Sequence, residues 1–425
     1  YYKMSVYSNG NFKSVIIDPT NYRANHRAEW KLDGARIYKS DLRLGNVGVT
    51  TATSVATNAN NKLAGVGSIL KSVRLLDGKT ELDSVNDFNR YYGFQQLLDQ
   101  NSKNQSKNRY LINNNQGLST GEVDKKLINL KPQKVITDTE STTPEGLIDL
   151  RDILPLLRSL DFLDASQSFK NLRLQVEFEA DDRLKMTNTT SASTTLEPVL
   201  FADVIEDPAL VAGMLKQMPS VVEWDTIEHD VLSVPDLGSA PAVTSSIQPI
   251  SKKVRGFDNK TVKRLLAIKT FTDKNLATDG AGVVNDVGDM GSIAGYDEVF
   301  NVRVNGKNIL SRKGNEAPNA RMAMVVDAYG DFASYFGSNL IDINGADEIV
   351  NDGEARLGRL DYFGIVINDM VKDLQFSYDR TSLSTDGSTD TRKRVKANRG
   401  LDIHLHAEVS KVLTIGANGY NVAYV

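Results

Sequence analysis

Hydrophobic and polar residues alternate with a period of two along several stretches of this chain. Leu172, Leu174, Val176 and Phe178 are interleaved with Arg173, Gln175, Glu177 and Glu179. Successive side chains of a strand point to opposite faces, so the pattern predicts a strand with one apolar and one wet face. Leu401, Ile403, Leu405, Ala407 and Val409 repeat it around Asp402, His404, His406 and Glu408, and shorter versions run over 371–378 and 302–304. Strands covered on both faces read as unbroken apolar runs, so this alternation predicts antiparallel sheets with a polar or solvated side.

Turn chemistry agrees. Asp33-Gly34, Asp77-Gly78, Asn305-Gly306 and Asn418-Gly419 each lie between strand-like stretches, which predicts four tight type I′ hairpins. The last joins Val412–Ile415 to Tyr420–Val425. Helical spacing is confined to short segments. One starts at Thr143-Pro144-Glu145 and continues through Leu150, Ile153, Leu154 and Leu157, with Pro155 limiting the segment to one or two short helices. A second runs from an Asp207-Pro208 start to about Gln217, and a third passes through Val85, Phe88, Tyr92 and Leu98. Polar connections at 50–62, 100–116, 233–251 and 381–400 are long enough to be binding surfaces, interface arms or disordered segments. The expectation is an all-β protein with a few short helices, built as sandwiches or jelly rolls.

An internal echo suggests that the architecture occurs twice. Val73-Arg74-Leu75-Leu76-Asp77-Gly78-Lys79 and Val302-Arg303-Val304-Asn305-Gly306-Lys307 both read as strand, tight turn, strand, and aromatic-rich segments follow at 88–94 and 329–336. Independent origin of two common hairpins remains open, but a chain of 425 residues has room for two sandwiches of about 200 residues each. The junction is placed in the Asp207-Pro208 helix, giving an N-terminal unit, 1–212, and a C-terminal unit, 213–425.

Composition narrows the function. There is no cysteine, which excludes disulfide frameworks, thiol nucleophiles and Cys-ligated metal centres. Fifty basic against fifty-four acidic residues leave a net charge of −4, so no global field marks a general nucleic-acid binder. No apolar run reaches the roughly 18 residues of a membrane-spanning helix. The first residue is Tyr1 rather than Met, which reads as a processed or incomplete chain, and Asn104, Asn188 and Asn259 open glycosylation-type triplets at about chance frequency.

The search for chemistry returns little. Of four histidines, His26, His229, His404 and His406, only His404-x-His406 has a metal-like spacing. No third ligand is evident, and two polar side chains on the wet face of a strand is the better reading. His26 reads as an exposed polar contact. No nucleophile elbow occurs, and the glycine-rich segment 280–295 lacks dinucleotide and phosphate-loop spacing. Asp181-Asp182 and Asp297-Glu298 are not placed by adjacency across a glycosidic bond, and 273–280 and 386–390 resemble calcium loops only in composition. No catalytic, cofactor or metal residue is assigned. The strongest charge run, Arg392, Lys393, Arg394, Lys396 and Arg399, suits nucleic-acid phosphates, a nuclear localisation signal or an acidic neighbouring subunit, or is simply a solvated loop. A second cluster, Lys252, Lys253, Arg255, Lys260, Lys263 and Arg264, leads into strand-like 265–268 and reads as a sheet edge or interface.

Several segments together resemble the double jelly-roll major capsid proteins of small icosahedral double-stranded DNA viruses of the Polinton, virophage and adintovirus type. They are Ile16-Ile17-Asp18-Pro19 with Tyr22 to Trp30, the hairpin 72–82, Ile148 to Leu157 leading into Leu172–Phe178, and Gly256-Phe257-Asp258-Asn259-Lys260-Thr261-Val262-Lys263-Arg264-Leu265-Leu266. The resemblance implies two tandem eight-stranded antiparallel jelly rolls, homotrimers forming pseudo-hexagonal capsomers, and lateral packing of trimers into an icosahedral shell. It also implies penton and minor capsid proteins as partners, weak contact with packaged DNA through the basic run, residence in the virion, and no active site. The alternative is a tandem β-sandwich that binds or cleaves carbohydrate, which would need exposed aromatic platforms where only Trp30 and Trp224 are available as tryptophans. A cell-surface adhesin is a third reading.

Overall fold

The computed structural model describes residues 12–32, 34, 36–47, 49–51, 64, 66–98, 146–180, 192–195, 197–216, 218–235, 250–272, 298–310, 318–330, 362–380, 400–416 and 419–425. The strands fall into two groups along the chain. The first comprises β1 (Lys13–Ile17), β2 (Asn21–Arg23), β3 (Arg27–Leu32), β4 (Ile37–Lys39), β5 (Arg43–Val47), β6 (Val49–Thr51), β7 (Leu70–Asp77), β8 (Thr80–Val85), β9 (Gly146–Asp149), β10 (Phe162–Asp164), β11 (Leu172–Phe178), β12 (Ala192–Thr195) and β13 (Val199–Ile205). The second comprises β14 (Val221–Val234), β15 (Ile250–Lys253), β16 (Lys260–Phe271), β17 (Glu298–Val304), β18 (Lys307–Asn308), β19 (Phe363–Val371), β20 (Leu374–Arg380), β21 (Leu401–Gly416) and β22 (Gly419–Tyr424). The helices are α1 (Phe88–Leu98), α2 (Pro155–Ser159), α3 (Pro208–Leu215) and α4 (Pro318–Tyr329).

Among the described residues, no sheet mixes the two groups. In the first, a six-stranded sheet runs β10-β4-β13-β5-β9 with β1 on β13, and a five-stranded sheet runs β2-β3-β11-β7-β8. In the second, β14-β21-β16-β19 with β22 on β21 faces the four-stranded β15-β20-β17-β18. All of these pairings are antiparallel. A jelly roll of two facing sheets is thus formed twice, with short extra strands beyond the expected eight.

β11 follows its sequence pattern: Leu172, Leu174, Val176 and Phe178 are buried, and the residues between them are half-buried. The two echoing hairpins occupy matching places, β7–β8 and β17–β18 each closing one edge of the smaller sheet of their group. Their turns differ. Val304 pairs with Lys307 across Asn305 and Gly306, whose φ angles of 50° and 81° make a type I′ turn. Asp77 instead pairs with Thr80, so the turn is Gly78-Lys79, with Gly78 alone positive at 60°, the type II′ signature.

One helix expectation needs correction. Residues 146–149 form strand β9, followed by a single 3-10 turn at Leu150–Asp152 in which the Asp149 carboxylate accepts from the Arg151 amide. The helical part is short, as expected: Pro155 takes the first position of the five-residue α2, where its missing N–H costs nothing. α3 starts as expected, with the Asp207 carboxylate accepting from the amides of Ala209 and Leu210.

Each group has its own apolar interior, but the larger core does not stop at the group boundary. Trp30, Leu75, Leu82, Tyr92, Leu157 and Leu174 belong to one continuous buried cluster with Val222, Trp224, Ile227, Leu266, Ile268, Tyr362 and Leu413 of the second group. A separate core inside the second group is built on Phe257, Phe300, Phe363, Phe376 and Tyr378.

Candidate functional site

The densest polar chemistry lies where the two jelly rolls meet, at the β8–α1 corner of the first and the β14–β21 pair of the second. These two long strands run side by side over Val221–Val234, with His229 directly opposite His406 and Val231 opposite His404. Residues opposite each other share a face, so His229, His404 and His406 lie on one side of the sheet.

That side is covered, which overturns the wet-face reading. His404 and His406 are 7 % and 1 % exposed because α1 lies over them, with the Tyr91 ring centroid 5.5 Å from that of His406. Asp87, at the corner before α1 with a φ of 45°, receives a hydrogen bond from His229 Nδ1 at 3.0 Å. His229 Nε2 is 3.1 Å from His404 Nδ1, and His404 Nε2 is 3.2 Å from the Thr270 hydroxyl. The result is a chain of polar contacts from one jelly roll into the other. Burial alone would raise the Asp87 carboxyl, but the His229 hydrogen bond and the Arg90 guanidinium hold it well below the usual carboxylate range. Burial drives His404 and His406 well below the ordinary imidazole value, with Arg90 and His229 adding to the shift.

A second polar contact bridges the same interface. Asp83 on β8 is fully buried; its Oδ1 accepts from the Thr226 hydroxyl of β14 at 2.7 Å, and its Oδ2 from the Leu156 amide in the first turn of α2 at 3.0 Å. A third joins the hairpins: the Tyr420 hydroxyl donates to Asp77 Oδ2 at 2.8 Å, and its ring packs edge-on against Phe169 at 5.0 Å.

The residues singled out from sequence are otherwise distributed. Asp77 also accepts from the Asn171 amide, and Gly78 donates to the Asn171 carbonyl, so that turn is tied to the strand start beside it. Asn305 does more than turn the chain: its side chain donates to the Met370 carbonyl and accepts from the Lys372 amide, pinning the β19–β20 turn. Gly419 pairs with Gly416 across residues 417 and 418, so Asn418 falls outside the described residues. Arg392, Lys393, Arg394, Lys396 and Arg399 also fall outside them, as do Asn104, Asn188, Asp181-Asp182, Asp297 and 280–295. The second basic cluster is used internally: Lys252 faces Asp230, Lys253 faces Asp373, Lys260 faces Glu228, Lys263 faces Asp225 and Arg264 faces Glu408. Trp30 and Trp224 are both buried, so neither offers a platform for a sugar. No helix among the described residues is long and apolar enough to cross a membrane.

Two facing-sheet units in tandem, fused through a shared core, define the double jelly-roll class of all-β proteins. Solved structures of that fold superpose on nearly the whole chain. The mavirus major capsid protein superposes with a TM-score of 0.54 at 7 % identity, over 98 % of this chain and 90 % of that one. A quasi-atomic structure of the PBCV-1 virus capsid gives 0.52 at 13 % identity over the full length of both chains. The cryo-EM structure of the Sputnik virophage gives 0.52 at 11 % identity, over 97 % and 88 %. This chain has their double jelly-roll fold. No family model and no curated protein sequence matches it.

Proposed function

We propose that the chain is the major capsid protein of an icosahedral virus, a non-enzymatic building block that trimerises into pseudo-hexagonal capsomers and resides in the virion. The observation carrying this reading is the fusion of two jelly rolls through one core, in the fold that the virophage and mavirus proteins share. Three such pairs around an axis give six similar walls, the shape needed to tile a shell, whereas a lone binding module has no use for the rigid doubling. The units are residues 1–212 and 213–425, meeting in α3.

Within this reading the partners are further copies of the trimer, penton and minor capsid proteins and, through the basic run at 392–399, packaged DNA. Exposed apolar side chains suit lateral contacts: Ile16 and Phe201 are neighbours across β1 and β13, and Val366 and Met370 lie on β19. The test is mass in solution followed by imaging. Three copies of the 46.8 kDa chain weigh about 140 kDa and should show a hexagonal outline or close into shells. A strict monomer that binds oligosaccharide would overturn the proposal in favour of the carbohydrate reading.

A further inference from the structure

Three of the four histidines of the chain converge on one buried spot, although they come from two strands far apart in sequence. Asp87, His229 and His404 each present one donor atom there, all within 4.8 Å of one another. His406 is the third imidazole, its ring centroid 4.8 Å from that of His229. It is 1 % exposed, and neither of its ring nitrogens has a hydrogen-bond partner among the described residues. An unpartnered buried polar group is costly, so two on one ring favour a partner at this spot, an ion or an ordered water.

We propose that His229, His404 and His406 bind a divalent transition-metal ion of the zinc class, with Asp87 orienting His229 from the other jelly roll. The donor chemistry fits, since imidazole nitrogens hold zinc at about 2.0–2.1 Å. Tetrahedral bonds of that length keep neighbouring donors about 3.3 Å apart, and His229 Nε2 and His404 Nδ1 are already 3.1 Å apart. Asp87 Oδ2 on His229 Nδ1 fixes the tautomer that leaves Nε2 free to ligate, the carboxylate–histidine–metal arrangement common around zinc.

The proton now lying between the two rings has a destination. It moves to His404 Nε2, where the Thr270 hydroxyl at 3.2 Å accepts it and turns its own hydrogen toward the Asp402 carbonyl at 3.4 Å. No proton need leave the protein. His406 would join as the third imidazole by turning about its terminal side-chain torsion, from a ring centroid 4.8 Å from that of His229. Arg90 occupies Asp87 Oδ1, not Oδ2, and its positive charge makes the site weaker than an all-anionic one. Because Asp87 belongs to the first jelly roll and the three imidazoles to the second, the ion would tighten the link between them.

The experiment uses the full chain, stripped with a chelator and titrated with zinc chloride by calorimetry, and with cobalt chloride by visible absorption. The expected result is one ion per chain, a cobalt spectrum of tetrahedral nitrogen ligation, and a melting temperature that rises with zinc and falls back with chelator. His404→Gln with His406→Gln should abolish binding, and Asp87→Asn should weaken it about 10- to 100-fold without changing the stoichiometry. His26→Gln, at an exposed turn, should change nothing. If the His404→Gln variant does not fold, the wild-type stoichiometry and cobalt spectrum still decide. Absence of zinc binding by the folded, stripped wild-type chain, or equal loss of binding in His26→Gln, overturns the proposal.

Discussion

Replacing Asp83 by alanine takes away the carboxylate that joins β8, α2 and β14. Three donors point at it: the Thr226 hydroxyl at 2.7 Å, the Leu156 amide at 3.0 Å and the Ser84 amide at 3.1 Å. Thr226 has a fallback in the Ser84 carbonyl at 3.3 Å. The Leu156 amide, in the first turn of a five-residue helix, has no helical partner to fall back on. A stranded buried donor costs about 1–3 kcal/mol, and hydrogen bonds to a charged acceptor are worth about 1.5–3 kcal/mol each. Against this, burial raises the Asp83 carboxyl because the charged form is costly here, so part of the loss is returned when the group is removed. Breaking such a buried network from one side should still cost about 3–5 kcal/mol. Asp83→Asn keeps an oxygen for Thr226 but turns an NH2 toward the Leu156 amide, and should cost about 1–3 kcal/mol. The assay is urea unfolding followed by tryptophan fluorescence. Trp30 reports from the first jelly roll and Trp224 from β14, so single-tryptophan backgrounds read each side of the interface. In the alanine variant both midpoints should fall and the two curves should separate. A double cycle with Thr226→Val should show a combined loss smaller than the sum of the single losses. An Asp83→Ala midpoint equal to that of wild type would refute the reasoning.

Two further outcomes are expected. Gly306→Val and Gly78→Val should each lose about 1–2 kcal/mol per substitution from the positive φ alone, because a Cβ at either position meets nothing within 4 Å; equal unfolding midpoints would contradict the turn geometry. Burial and the adjacent Asp77 carboxylate push the Tyr420 hydroxyl up to about 12. A tyrosine in the unfolded chain ionises near 10. The contribution of Tyr420 is therefore whole below about pH 10 and is lost as pH rises toward 12. Burial raises Tyr91, Tyr329 and Tyr424 as well, so the measurement is the difference between wild type and Tyr420→Phe. That difference should shrink across the window, and one that stays constant would exclude the Asp77 bond.

Local pattern carried much of the architecture. The alternation of Leu172–Phe178 became β11 with its faces as read, Asp207 capped α3, and the paired hairpins fell at matching sheet edges. Each depends on neighbours within a few residues. The polar interface was not legible in the same way. His404 and His406 alternate with apolar residues as solvated side chains do, and only the arrival of α1, some three hundred residues earlier in the chain, makes their face an inside one. Asp83 and Asp87 carried no local signal, since each gains its role from a partner more than 70 residues away. Pro155 keeps the helical pieces short, but the spacing of Leu150, Ile153 and Leu157 does not say that it does so by opening α2: proline disfavours a helix interior and suits a helix start. Strand β14 carries no clean alternation, because Ile227 beside Thr226 breaks it where the strand turns from the shared core toward the second.

The cluster that unites Trp30 and Leu174 with Trp224 and Ile227 makes the two halves poor candidates for separate lives. A gene fragment encoding either one would leave an oily scar where its sibling had been, and such a scar invites clumping. Recombination between relatives is therefore expected to exchange the pair as a unit, or to swap surface loops and leave the seam intact.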